Sequence, residues 1–145
     1  MRLADIRDAV AGRVATVAGV RAVAFAPDQI PAGALSVVIV TPGSPYVEFH
    51  EAFAGGLAMV HLTLSPWVQA VDPRAAMGRL DEMLSSGVGS PGSIVDALMG
   101  TDRTLGGVCA DLVVDDASNV RGEQGPDGAR YLSCDLSVRV LVGRA

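Results

Sequence analysis

Tyr131-Leu-Ser-Cys-Asp-Leu-Ser-Val-Arg-Val-Leu-Val142 alternates almost without interruption. Leu132, Cys134, Leu136, Val138, Val140 and Val142 fall on one side of an extended chain, and Ser133, Asp135, Ser137 and Arg139 on the other. Successive side chains of a strand point to opposite faces, so a period of two predicts a strand with one face on a core and one towards water. Leu57 to Ser65 repeats the pattern, with Ala58, Val60, Leu62 and Leu64 opposed to Met59, His61, Thr63 and Ser65. A sheet made of such strands needs a covering layer on one face, which helices can supply.

Those helices are signalled elsewhere in the chain. Leu3, Ile6, Val10, Val14 and Val17 recur at spacings of three and four, one face of a helix from Leu3 to Val17. Asp5 near its start and Arg13 near its end complement the helix dipole, and Gly19 is placed to stop it. Asp72-Pro73 offers an N-cap and a first-turn proline, after which Ala76, Leu80, Met83 and Leu84 form an apolar stripe ending at Gly87. Ser90-Pro91 predicts a second, shorter helix reaching about Met99.

The remaining strands follow from composition. Val20 to Ala26 is short and closed by Pro27, and Asp28 to Gly33 reads as a loop. Leu35 to Thr41 is nearly all apolar and β-branched, a strand covered on both faces, which Pro42-Gly43-Ser44-Pro45 is expected to end. Val108 to Asp115 follows the Gly106-Gly107 break as another strand. Asp116 to Ala129 is polar, holds three glycines and Pro126, and is expected to be a long flexible loop. The predicted order is α-β-β-β-α-α-β-β. Consecutive strands imply hairpins, hence an α+β fold with a mostly antiparallel or mixed sheet of about five strands. Without repeats or linkers, residues 1–145 read as a single domain.

Composition narrows the functional classes. At 145 residues the chain can bury a sizeable core without disulfides. Its net charge of -5 argues against a protein that grips nucleic acid through a broad basic face. Half of it is apolar and 17 residues are Gly, but Ala and Val contribute 21 each and the aromatics only six. That is poor material for an aromatic-lined ligand pocket, and with glycine counted the apolar share exceeds the usual roughly 45–50%, a surplus that serves either an unusually complete core or surface meant for other copies of the chain. Lys is absent, Asn119 is the one asparagine and there are four Ile, a bias that points to a GC-rich genome. The charged start, Met1 to Val10, excludes a signal peptide, and no apolar run is long enough to span a membrane. Synthesis in a cytoplasm is expected. Cys109 and Cys134 lie 25 apart with no Cys-x-x-Cys partner, so they read as small buried hydrophobes.

Gly87-Val-Gly-Ser-Pro-Gly92 matches Gly-x-Gly-x-x-Gly, but it follows a helix instead of a strand, so a helix–helix turn is the better reading. His50 and His61 with the two cysteines lack the close ligand spacing of a zinc site. No Gly-x-Ser-x-Gly elbow is present, and turn or cap roles account for Ser44 and Ser90. Glu48 with Glu51, and Asp115 with Asp116, read as solvated charge. No residue is assigned a catalytic, cofactor-binding or metal-binding role.

Taken in order, the segments resemble the tail terminator family of long-tailed bacteriophages, especially the actinobacteriophage type. The resemblance runs through Ile6-Arg7 to Val17, Gly19-Val20-Arg21, Pro27 to Pro31, Ser36 to Val40 and Pro42 to Phe49. It continues with Val60 to Leu64, Asp72-Pro-Arg-Ala-Ala76, Leu80 to Leu84, Gly92-Ser93-Ile94, Ala97-Leu98, Thr104 to Gly107 and Tyr131-Leu132. It implies an α+β subunit of a ring, typically a hexamer, in the virion at the junction of tail and head. Such a ring caps the tail tube, ends its polymerisation and offers a surface to the head-side connector or stopper. The implied partners are other copies of the chain, the major tail tube protein and that connector. DNA would pass through the lumen without specific binding; no enzymatic activity, cofactor or membrane is implied. Arg121 and Arg130 are the only basic residues in or beside the 116–129 segment, a departure from the family pattern.

For such a role the expected contact residues are Tyr46, Phe49 and Phe53, three of the six aromatics gathered in a loop, together with Arg121 and Arg130. The alternative for the aromatics is a loop folded over its own core. Excess acid suits a channel along which DNA slides. Two other readings remain open: a neighbouring neck protein, stopper or adaptor, and a small-ligand-binding or enzymatic domain using His61 or the cysteines.

Overall fold

The computed structural model describes residues 2–17, 19–24, 36–49, 58–86, 91–100, 102–125 and 128–143. The elements are α1 (Leu3–Val14), β1 (Arg21–Val23), β2 (Ser36–Phe49), β3 (Ala58–Gln69), α2 (Pro73–Leu84), α3 (Ile94–Met99), β4 (Asp111–Gln124) and β5 (Arg130–Val142). They form an α+β fold in the order expected from the sequence. The five strands make one mixed sheet, ordered β1-β2-β3-β5-β4, in which only β1 and β2 are parallel.

The two alternating segments sit at its centre. Ala58, Val60, Leu62, Leu64 and Val68 of β3 are buried on the face under the helices, beside Cys134, Leu136, Val138, Val140 and Val142 of β5. Ile6, Val10 and Val14 of α1, Ala76, Leu80 and Met83 of α2, and Ile94 and Leu98 of α3 close that core. Val17 is also buried, although α1 itself ends three residues earlier in a turn.

Capping follows local chemistry. The Asp72 carboxylate accepts from Arg74 N at 3.1 Å, and Pro73 occupies the first turn of α2. The next helix is capped by Ser93, not started at Ser90-Pro91: Ser93 Oγ accepts from Asp96 N at 3.0 Å while donating to Ser85 O. This hydroxyl joins the end of α2 to the start of α3. Gly87 to Ser90 lie outside the described residues.

Two further expectations are corrected. Pro42-Gly43-Ser44-Pro45 does not end β2. The strand pairs with β3 up to Pro42↔Leu62, passes through an irregular stretch containing a cis Ser44–Pro45 bond, and pairs again from Val47↔Val60 to Phe49↔Ala58. Tyr46 and Phe49 are therefore strand residues, not members of a loop. The described part of the 116–129 segment is likewise no flexible loop. β4 continues to Gln124 and pairs with β5 down to Gln124↔Arg130, and a turn closes it with Gly125 N donating to Ala129 O at 2.8 Å. Two irregularities carry the strand along: Asp115 is an extra residue between Val114 and Asp116, and another lies between Ser118 and Arg121, where Asn119 has φ 59°. Asparagine tolerates this left-handed conformation better than most residues.

Candidate functional site

The sheet face away from the helices carries most of the charged side chains of the central strands. His61 Nε2 and Glu48 Oε1 are 2.5 Å apart across β3 and β2. Beside them Arg139, the cross-strand neighbour of His61, donates from Nε to Asp115 Oδ2 at 2.7 Å. The bulge at Asp115 thus gives the edge strand a carboxylate within reach of β5.

Further along, Asp135 gathers three elements. Its Oδ1 accepts from Ser65 Oγ at 3.0 Å and from Arg121 Nη2 at 3.3 Å, and its Oδ2 accepts from Asn119 Nδ2 at 3.4 Å. Burial pushes the Asp135 carboxyl up, but these hydrogen bonds and the Arg121 charge outweigh it and hold the pKa below the ordinary value. Arg121 also donates from Nε to Glu123 Oε1 at 2.6 Å. The network spans β3, β5 and β4 and pins the lower half of the edge strand in register. Arg121 is occupied in that task.

Pro66 explains why the network sits there. A proline has no N–H for a sheet ladder. The β3–β5 pairing runs to Leu64↔Leu136 and resumes at Trp67↔Ser133 without a change of register. The Ser65–Asp135 hydrogen bond bridges that gap. Next to it the Trp67 and Tyr131 rings meet at 5.5 Å and 54°, and Val37, Ile39, Val23 and Trp67 form a small apolar cluster. Ser133 is fully buried in this region, and its hydroxyl has no hydrogen-bond partner among the described residues. An unsatisfied buried hydroxyl costs stability, so Ser133→Ala is expected to stabilise by about 0.5–1 kcal/mol in urea unfolding. A loss of stability would show that the hydroxyl is satisfied.

A second polar centre lies in the turn after α3. Asp102 accepts from Thr104 Oγ1 and Thr104 N through Oδ1 at 2.5 and 2.9 Å, and from Gly106 N through Oδ2 at 2.9 Å. Leu105, Gly106 and Gly107 all have positive φ, and this curled backbone turns its N–H groups towards the carboxylate. Arg13, from the last turn of α1, donates to Asp102 O at 2.8 Å and to Oδ2 at 3.3 Å. The Thr104 hydroxyl and N–H, the Gly106 N–H and Arg13 hold the Asp102 pKa far below the ordinary 3.8. A carboxylate whose folded-state pKa is depressed stabilises the fold above its ordinary pKa, and that contribution is lost as pH falls from the ordinary value through the folded-state one. Asp102→Asn should therefore lower the thermal midpoint at pH 7, with the gap to the wild type narrowing between about pH 5 and pH 2. Thermal unfolding at several pH values checks this; a gap that persists in acid refutes it.

The remaining candidates separate. His61 points to the outer face and Cys134 is buried in the core under the helices, so the sheet lies between them. Burial pushes both thiols up, Cys134 to about 11, which keeps it a neutral thiol. No group of three or more His, Cys, Asp and Glu side chains suited to a metal ion occurs among the described residues. Among those residues no helix is long and apolar enough to cross a membrane.

The expected contact residues also divide. Tyr46 packs against its own core, with its hydroxyl buried and without a partner among the described residues. Phe49 is 76% exposed at the end of β2. Phe53, His50 and Glu51 lie outside the described residues. Arg130 is exposed at the start of β5 and, with Glu123, borders a groove of about 470 Å³ between the β4–β5 hairpin and the first turns of α2. Sequence reasoning missed this groove because its walls, Ala70, Pro73, Ala76, Gly122, Tyr131 and Leu132, come from four separate elements or turns. Neither a known protein family nor a curated protein matches the chain.

Proposed function

We propose that the protein is a structural virion subunit that forms a ring on the end of a phage tail tube, ending tube growth and presenting a surface to the head-side connector. The supporting observation is the lower half of β4. From Asp115 to Val120 every residue is exposed, yet the segment is held to the sheet by Asp115–Arg139 and by the Asp135 network. An ordered edge that covers no core of its own is suited to contact with neighbouring subunits. The order of segments quoted above supports the same reading, and the apolar surplus fits self-assembly.

Phage assembly without the protein tests it. Tubes are then expected to grow past their normal length and to remain unattached to filled heads, with both defects reversed by the purified protein. Normal-length tails joined to heads in its absence would rule the proposal out.

A further inference from the structure

We infer that the lower half of β4, Asp116 to Gln124, is a strap that opens from the sheet as a unit while the rest of the fold stays closed. The Asp115 bulge is its hinge and Asp135 its latch. Opening of this kind belongs to the single chain and stands apart from the ring reading.

The two halves of β4 are held by different physics. Leu112 is fully buried, and Val114 packs against the core under the helices. The upper half is also clasped from the side away from β5. Arg103 Nε donates to Leu112 O at 3.1 Å, and Val114 N donates to Met99 Sδ of α3 at 3.1 Å. From Asp115 to Gln124 no residue is buried, and Arg121 and Glu123 alone are half-buried. Burial of apolar surface is the dominant favourable contribution to folding, and the lower half has little of it to lose on leaving.

Its side-chain ties to the sheet are polar. Asn119 Nδ2 and Arg121 Nη2 donate to the Asp135 carboxylate on β5 at 3.4 and 3.3 Å. The bonds of Arg121 to Glu123 Oε1 and to Asn119 O lie within the strap and can travel with it. The backbone ladder with β5 is interrupted on both sides of the Asp116–Ser118 stretch, between Val114 and Asp116 and between Ser118 and Arg121. Such extra residues leave a ladder locally unpaired.

The sheet survives the departure. β5 stays paired on its other side with β3, from Ala58↔Val142 to Gln69↔Tyr131. Ser65 Oγ of β3 still donates to Asp135 Oδ1, so the latch keeps its place while its β4 partners leave. Segments with few apolar contacts and exposed hydrogen bonds are those that open below the free energy of global unfolding. An edge of this kind is presented to a partner only in the latched fraction of molecules.

Native-state hydrogen exchange of the full chain, read residue by residue by NMR, tests the strap. Its protected amides are expected to exchange faster than those of Leu62 and Val140. They should also respond little to sub-denaturing urea, because opening exposes little surface. A core variant separates the two events. Leu80→Ala should speed Leu62 and Val140 by roughly thirtyfold or more, yet leave the strap unchanged, since Leu80 stays packed when the strap opens. Asp135→Asn keeps the shape of the latch and removes its charge, and should speed the strap roughly tenfold. Circular dichroism checks that both variants fold; if Leu80→Ala does not, the urea slopes decide. Strap amides that share the rate and urea slope of Leu62, or that follow Leu80→Ala by the same factor, would overturn the strap. Strap exchange unmoved by Asp135→Asn would overturn the latch.

Discussion

Leu80→Ala is expected to lower the unfolding free energy by about 2–5 kcal/mol, the range for emptying a fully buried leucine site. Leu80 is completely buried, and with Ala76 and Met83 it forms the side of α2 that meets the sheet. The rest of α2 is mostly exposed, so shortening this side chain leaves chiefly Ala76 and Met83 to hold the helix on the sheet. The cost combines lost transfer free energy with a cavity that a close-packed core cannot fill. At roughly 3 °C per kcal/mol for a chain of this size, the thermal midpoint should fall by about 6–15 °C. Met77, on the same helix but 40% exposed, is the control, and Met77→Ala should change stability by less than about 0.5 kcal/mol. Equal effects at both positions would mean that α2 is not anchored through its buried stripe.

Gly43→Ala is expected to cost about 1–3 kcal/mol through overpacking. A Cβ at Gly43 would lie 2.9 Å from His61 Cβ, 3.0 Å from His61 O and 3.1 Å from His61 C. Two of these three atoms are backbone of a central strand, so no side-chain rotation relieves the clash. Here glycine is required by close approach of two strands, where β2 crosses β3 through its irregular stretch. Gly122→Ala, on β4 in open space, should be neutral or slightly stabilising by comparison. Denaturant unfolding of the pair reads the difference. Equal stabilities would mean that the β2 irregularity shifts readily.

Alternation made the centre of the fold legible. In β3 and β5 the core face and the outer face demand different chemistry at every step, and the sequence records that demand from Ala58 to Ser65 and from Leu132 to Val142. Asp72-Pro73 was readable because a cap acts within one turn. The cap of α3 was not, since Ser90 and Ser93 offer the same local signal and it is the tertiary contact with Ser85 O that marks Ser93 as the cap. The lower half of β4 carried no period because it covers no core, so a paired strand and a flexible loop look alike in sequence. The continuation of β2 was hidden by prolines that ordinarily end strands and are tolerated where, among the described residues, one side of the strand has no strand partner.

The candidate surfaces divide the same way. That Tyr46 and Phe49 are aromatic is written in the chain, yet one packs inward and the other outward, three residues apart on one strand. Arg121, expected as a contact residue, is tied to Glu123 and Asp135. By itself the sequence determined the order of elements and the α+β class, because periodicity and capping are local consequences of backbone geometry. Only the tertiary structure decided the strand order, the irregularities that carry β2 and β4 along, and the inward packing of Tyr46 against the exposure of Phe49. Those depend on which distant segments pair, and pairing is settled by packing between residues far apart in the chain.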